Sequence, residues 1–240
     1  MKIGIIIPTL NEELNIVELI GKIDKNLSEK YDYNIAIIDD SFEDKISPKI
    51  HQFKNKIKYI HRGKKMGRGS AILLGMQYFL DTNLMNIIIE MDADLSHDPD
   101  ELEEKIDLFL NNNYDILIAS RYLKDSKIIN WSKKRKILSF LSNKLAKFFL
   151  KIPVSDYTNG FRIYSIKATR HIVDNCGKIG DGFIILSEIL MELYYNNFKL
   201  GEHYTIFRNR VRGKSNVNIN LIISSFLGLL KLVKIKISKY

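Results

Sequence analysis

An open, mostly parallel α/β sheet with helices on its faces is the fold this sequence predicts. Three observations point to it. Short apolar runs recur at residues 3–7, 35–38, 57–60, 87–91 and 116–119. Segments with helical apolar spacing alternate with them. Each run ends in polar or charged residues instead of a hairpin turn, so right-handed crossovers must join the strands.

The first run is dominated by Ile, as in a strand buried on both faces. Asn11 is placed to cap a helix over residues 13–25, with Leu14, Val17, Ile20 and Ile23 on one face. The second run ends in Asp39-Asp40. Residues 46–53 read as a short helix before the third run. A glycine-bearing loop, Arg62 to Gly69, leads into a helix over 70–80. The fourth run ends in Asp92-Ala93-Asp94, and Asp98-Pro99 opens a helix over 100–110. Beyond the fifth run the pattern changes. A helix over Lys133–Leu150 turns Ile137, Phe140, Leu141, Leu145 and Phe148 inward and is closed by Pro153. A strand over 158–164, a helix over 183–195, a strand over 199–207 and a terminal helix over 218–237 complete the chain.

Residues 1–216 are read as one domain and 217–240 as a C-terminal amphipathic helix, with 45% hydrophobic residues supplying a sizeable core. Cys176 is alone, which excludes a disulfide and a CxxC metal site and makes a reducing, cytoplasmic setting the default. Residues 1–8 carry no cleavage-site pattern, so no secretory signal is expected. No stretch reaches the ~20 apolar residues of a spanning helix, so a soluble or membrane-peripheral protein is expected. The net charge of +9 is unevenly spread. Residues 121–151 hold ten Lys/Arg and one acid, and residues 202–240 hold eight and one. Either block alone suits a solvated helix face. Two of them after a carboxylate motif point to an anionic partner.

In a parallel sheet ligands bind at the carboxyl ends of the strands, where these polar groups collect. Asp92 and Asp94, two apart at a strand end, can point the same way. Like charges so close need a shared cation or proton, and Mg²⁺ or Mn²⁺ takes one or two carboxylates with phosphate oxygens completing its shell. The structural alternative is that both cap the next turn. Asp39 and Asp40 can accept from a base or ribose, or serve as turn caps. The loop from Lys64 to Ser70 offers cations and flexible backbone before a helix N-terminus, a ready anion site. It has neither the GxxxxGK[ST] nor the GxGxxG spacing, and the five histidines form no HExxH. Tyr122, Trp131 and Phe140 interleave with the basic residues without a base-stacking pattern. A basic nucleic-acid-binding protein therefore ranks far below an enzyme, and no nucleic acid is expected as a partner.

Several ordered motifs now resemble one family. Pro8-Thr9-Leu10-Asn11-Glu12 is similar to the PTxNE opening of family 2 glycosyltransferases, and Asp39-Asp40-Ser41 to their second strand end. Asp92-Ala93-Asp94-Leu95-Ser96-His97 resembles the DADLSH of dolichol-phosphate mannose synthases. Ser155-Asp156-Tyr157-Thr158-Asn159-Gly160-Phe161-Arg162 resembles their SDxTSGFR. The resemblance spans about residues 3–216. It implies a GT-A fold, a Rossmann-like sheet, and metal-dependent, inverting transfer of mannose from GDP-mannose to a polyprenyl (dolichyl) phosphate. It implies that Pro8, Leu10 and Glu12 line the nucleotide, with Asp39 and Asp40 beside base or ribose and Lys64, Asp92, Ala93, Arg121 and Arg210 completing the donor site. Asp92, Asp94 and Ser96 would hold the metal. Arg121, Arg135 and Ser139 would grip the acceptor phosphate, and Asp94, Arg121, Arg135 and Arg210 would carry the reaction.

The chain departs from the family at Leu10, often tyrosine there, and at Ser41-Phe42-Glu43-Asp44, where a glycine is usual. The late RxxGxSK pattern reads Arg210 to Asn216, with Lys214 a possible substitute for its lysine. The alternatives are another donor, UDP-glucose or UDP-GlcNAc, or a sugar hydroxyl acceptor with Asp156, Asp181 or Glu188 as base. The terminal helix, apolar with lysines gathered late, is expected on the cytoplasmic face of a membrane, with a membrane partner subunit as its other candidate contact.

Overall fold

The computed structural model describes residues 1–180, 182, 184–210, 212 and 219–240, with side chains in the last segment from Ser224 onward. Seven strands form one sheet in the order β3-β2-β1-β4-β7-β5-β8. These are β1 (Lys2–Thr9), β2 (Asp32–Asp39), β3 (Ile57–His61), β4 (Ile87–Glu90), β5 (Ile116–Ser120), β7 (Arg162–Ser165) and β8 (Leu200–Tyr204). All neighbouring pairs are parallel except those of β7, which runs antiparallel between β4 and β5. A separate ribbon pairs β6 (Lys127–Ile129) with β9 (Ile206–Arg208). The single late strand expected over 199–207 is thus two strands in two sheets. They part at Thr205, which is buried and donates to Glu101 at 2.6 Å.

Helices α1 (Ile16–Leu27), α2 (Ser47–Ile50), α3 (Arg68–Thr82), α4 (Leu102–Asn111), α5 (Lys133–Leu150), α6 (Ile166–Asn175), α7 (Ile184–Tyr195) and α8 (Ile219–Lys239) complete the fold. The sheet separates two cores. On one side Ile5, Ile7, Leu19, Ile23, Ile89 and Phe161 pack with α1 and α4. On the other Ile6, Ile88, Ile72, Met76, Ile189 and Leu232 pack with α3, α6, α7 and α8. Burying alternate residues of β1 on opposite sides requires the continuous apolar run its sequence shows.

Four local expectations change. The strand expected over 158–164 is confined to Arg162–Ser165. Helix α1 begins at Ile16 and not at residue 13. Asn11 sits at φ 59°, and Glu12 to Asn15 form a turn closed by Asn15 N donating to Glu12 O at 3.0 Å, leaving Leu14 exposed. Strand β6, three residues long, and helix α6, which buries Ala168, Thr169 and Ile172 on one face, are elements beyond those expected. The largest change concerns α5. Its bounds match, but Ile137, Phe140, Leu141, Leu145 and Phe148 face outward, while Asn143, Ala146 and Leu150 are buried. Leu229 and Leu232 of α8 pack inward, and Lys236 Nζ donates to the Phe149 carbonyl at 3.0 Å, which holds α8 beside α5.

Arg162 of β7 lies fully buried and donates to the carbonyls of Tyr157, Asn159 and Leu186 at 2.8–3.1 Å. It ties α7 and the segment before β7 to the sheet. Arg162→Met keeps the volume but orphans three buried carbonyls, each costing about 1–3 kcal/mol. The variant should lose roughly 3 kcal/mol or more of stability, read as a lower urea midpoint with unchanged slope.

Candidate functional site

In-register pairing sets Thr9 against Asp39 and Ile6 against Glu90, so the segments after β1, β2 and β4 emerge on one edge. Because β7 is antiparallel, the segment before it, 155–161, reaches the same edge. The expected strand-end residues therefore converge.

At the β2 end, Asp39 is fully buried. It accepts from Thr9 Oγ1 and Ser41 N at 3.0 Å each and from Tyr59 OH at 2.9 Å. Asp40 accepts from Met66 N and Gly67 N at 2.8 Å each and pairs with Arg62. Gly63 and Gly67 take φ of 65° and 98°, which lets the loop fold back on that carboxylate. Both aspartates thus build the wall of the cleft from internal contacts. Pro8 and Leu10 are part-exposed beside them, and Lys64 is exposed on the loop.

The centre is a buried charge network. Arg68, from the first turn of α3, donates to Glu90 and, at 2.7 Å, to Asp92. Tyr164 OH donates to Glu90 at 2.8 Å. A Cβ on Gly160 would lie 1.9 Å from the Arg68 guanidinium, so glycine there makes room for the arginine. Burial opposes ionisation of Asp92, but the Arg68 guanidinium beside it outweighs burial and holds the carboxyl at about 2. His97 is fully buried and accepts from Asp92 N through Nδ1 at 3.0 Å. That leaves its Nε2–H to donate to Asn159 Oδ1 at 2.9 Å.

One step outward, Asp94 accepts from Ser96 N at 3.1 Å and lies 3.2 Å from Arg210, which is 3.8 Å from Glu12. Burial pushes Glu12 up to about 7. Asn15 opposes this at 2.7 Å, Asp94 adds to it, Arg210 opposes and Asp92 adds. Ser96 Oγ and Asn15 Oδ1 are buried without hydrogen-bond partners among the described residues. Hard oxygen donors with orphaned polar atoms beside them fit Mg²⁺ or Mn²⁺. Among the described residues no three His, Cys, Asp or Glu side chains gather closely enough to hold an ion by themselves. Such a set suits an ion that draws further oxygens from a substrate.

The third part is cationic and aromatic. Arg121 is clamped by Asp156 at 2.7 and 2.8 Å and by Thr158 at 2.7 Å. Arg135 lies over the Trp131 ring at 3.9 Å and donates to Asn209 at 3.0 Å. Burial, then the charges of Arg210 and Arg121, lower its affinity for its proton, against the attraction of Asp94. Ser139 accepts from Tyr122 OH at 2.6 Å. Asp156 is fully buried in its pairing with Arg121, which leaves no free oxygen for general-base work; Glu188 Oε1 accepts from Lys178 N at 3.4 Å, and its Oε2 is buried without a hydrogen-bond partner among the described residues. Asp181, Lys214 and Asn216 lie outside the described residues. Glu90 and Asn209 carry no signal in the sequence; Arg68 reads there only as one cation of the anion-site loop, and Trp131 only as an aromatic among basic residues, whereas the structure spends Arg68 on Glu90 and Asp92 and stacks Trp131 on Arg135. A buried Arg68–Glu90–Asp92 bridge has no spacing signature, because its members come from α3, β4 and the following loop.

Residues 4–173 match the family described as glycosyl transferase family 2. The chain is 32% identical over 238 residues to a dolichol-phosphate mannosyltransferase of Pyrococcus furiosus, covering 98% of this chain and 64% of that protein's length. It is 28% identical to a polyprenol monophosphomannose synthase of Mycolicibacterium smegmatis, covering 89% of this chain and 80% of that one. Glucosyl-3-phosphoglycerate synthase of Mycobacterium tuberculosis, solved with Mn²⁺, UDP and its product, superposes with a TM-score of 0.67 at 15% identity. That match covers 97% of this chain and 80% of the other, a likeness of fold. With its mostly parallel sheet, its clustered strand-end motifs and the family match over residues 4–173, the chain belongs to glycosyl transferase family 2.

Proposed function

We propose that this chain transfers a hexose, mannose by its motifs, from a nucleotide diphosphate-sugar, GDP-mannose, to a polyprenyl phosphate with inversion. The observation that carries the reading is Arg135. Its described partners, Asn209 and Trp131, are both neutral, and it stands beside Arg121 and Arg210. An arginine held this way offers an uncompensated charge and a bidentate fork to an anion. The names of the two relatives, a dolichol-phosphate and a polyprenol enzyme, support a lipid phosphate as that anion.

In this reading Asp94 and Asp92, with Ser96 adjacent, hold Mg²⁺ or Mn²⁺, which when bound neutralises charge on the donor diphosphate. Glu12, Leu10 and Pro8 line the nucleotide, and Asp39 and Asp40 shape the wall against which base and ribose lie. Arg210 is shared between Asp94 and the diphosphate and stabilises the charge that grows as the sugar leaves. Arg135, Ser139 and Arg121 orient the acceptor so that a phosphate oxygen attacks the anomeric carbon opposite the departing diphosphate. That oxygen forms the new bond to carbon as the bond to the diphosphate breaks. A phosphate monoester with its second pKa near ~6 is already largely ionised at neutral pH and needs no base. This agrees with the burial of Asp156 against Arg121. Incubation with GDP-mannose, UDP-glucose and UDP-GlcNAc, each with polyprenyl phosphate, tests donor and acceptor together. Lipid-linked hexose from GDP-mannose is the expected product, and its absence with all three donors would refute the reading.

Three outcomes follow. Asp94→Ala should abolish transfer and remove the metal dependence of donor binding while the circular dichroism spectrum stays unchanged, and undiminished turnover in EDTA would exclude the metal. Arg135→Ala should raise the KM for lipid phosphate about 10- to 150-fold, the equivalent of ~1.5–3 kcal/mol for a charge-assisted contact, with donor affinity kept. Loss of donor affinity instead would reverse the two arginine roles. Glu12 is raised from 4.5 to about 7 on folding. Its contribution to stability is therefore complete below pH 4.5 and lost as pH rises through about 7. Metal-free Glu12→Gln should melt increasingly above wild type between pH 5 and 8, by up to about 3 kcal/mol, and parallel pH profiles would disprove the shift.

A further inference from the structure

Helix α5 is built inside out. Its inward face is polar at the site end, with Arg135, Ser139 and Asn143 one helical turn apart in succession, and becomes apolar only at Ala146 and Leu150. Its outward face carries Ile137, Leu138, Phe140, Leu141, Leu145 and Phe148, with Leu141 55% and Phe148 73% exposed. A helix serving only the core would put these residues inward, so an exposed apolar stripe of this length marks a contact surface. The flanking charge specifies the contact. Within Lys133–Leu150 there are five lysines, one arginine and no acid. Helix α8 lies beside it with Phe226, Leu227, Leu230 and Ile237 exposed, and within Ile219–Lys239 there are four lysines and no acid. On α8 Lys239 pairs with Glu192 and Lys236 with the Phe149 carbonyl, which leaves Lys231, Lys234 and the α5 lysines to border the apolar side chains, and such a surface is complementary to an anionic bilayer, with acyl chains below and phosphates at the rim. No helix among the described residues is long and apolar enough to cross a membrane.

We infer that the outward faces of α5 and α8 rest together on an anionic lipid surface, with α5 as the principal contact. The inference takes its partner from the lipid-phosphate reading above and adds a geometry to it. The same helix grips the phosphate on its inner face and lies on the bilayer with its outer face. Arg135 and Phe148 are separated by roughly 20 Å along the helix. A prenyl phosphate can then stay in its leaflet while its headgroup enters between Arg135 and Ser139, and no lipid has to be withdrawn into water.

The test is flotation of the full chain with vesicles of phosphatidylcholine, with and without phosphatidylglycerol, at low and high salt. Wild type should float with the anionic vesicles and release as salt screens the lysines. Leu141→Glu combined with Phe148→Glu should bind about tenfold or more weakly, and Ile237→Glu less so. Both α5 side chains are exposed, so thermal melting should not change, and transfer to a short, water-soluble prenyl phosphate should persist. The inference is overturned if wild type ignores anionic vesicles at low salt or if the double variant floats as well as wild type. It is also overturned if wild type sediments as a dimer that the double variant dissociates, since the stripe would then be covered by a second copy. Failure of the acceptor reading looks different: the flotation loss is seen, but no lipid-linked hexose forms in detergent.

Discussion

The cleft depends on one buried cation. Arg68 leaves α3 at its first turn and meets Glu90 at the end of β4 and Asp92 just beyond it. Glu90 is fully buried and Asp92 half-buried, and two carboxylates so placed would repel if unpaired. The guanidinium between them offsets that repulsion, and Asp92 is held far below the usual carboxylate range. The arrangement also sets its own steric requirement, because the space the arginine occupies exists only where residue 160 lacks a side chain. The network therefore joins α3, β4 and the segment before β7 into one support, on which the more exposed Asp94 and Glu12 are carried.

Around this support the cleft divides by charge. The side nearest β1 and β2 is acidic and internally hydrogen-bonded, and the side formed by Arg121, Arg135 and Arg210 is cationic and backed by aromatic rings. Arg210 links the two sides through Asp94 and Glu12. In the proposed reaction an ionised donor and an anionic acceptor would otherwise repel one another in the same cleft. Interposing fixed cations between them lowers that repulsion without a group that must first gain or lose a proton.

Much of this was legible in the sequence. The Ile-rich runs gave the strands because strands buried on both faces tolerate nothing else, and Asp92-Ala93-Asp94 was readable because two residues at a strand end share a direction. What could not be read followed from partners distant in sequence. The reversed direction of β7 depends on which strands flank it, and nothing within Arg162–Ser165 encodes that. Asp39 looked like a ligand-facing acid, but Thr9, Ser41 and Tyr59 engage it from three segments. Helix α5 is the sharpest case. Periodicity located its apolar stripe and its bounds correctly, but a period carries no information on which side is the interior. The polar positions Arg135, Ser139 and Asn143, spaced four apart, did hold that information, since they form a stripe of their own.

Trp131 is the chain's one tryptophan, and it lies against Arg135 and edge-on to Phe207 at 5.3 Å. All of the protein's indole emission therefore originates beside Arg135 and Arg121, in the cationic side of the cleft. Unlabelled protein carries its own optical probe at the point where the cationic side of the cleft meets helix α5, with no second fluorophore of its kind to dilute the signal.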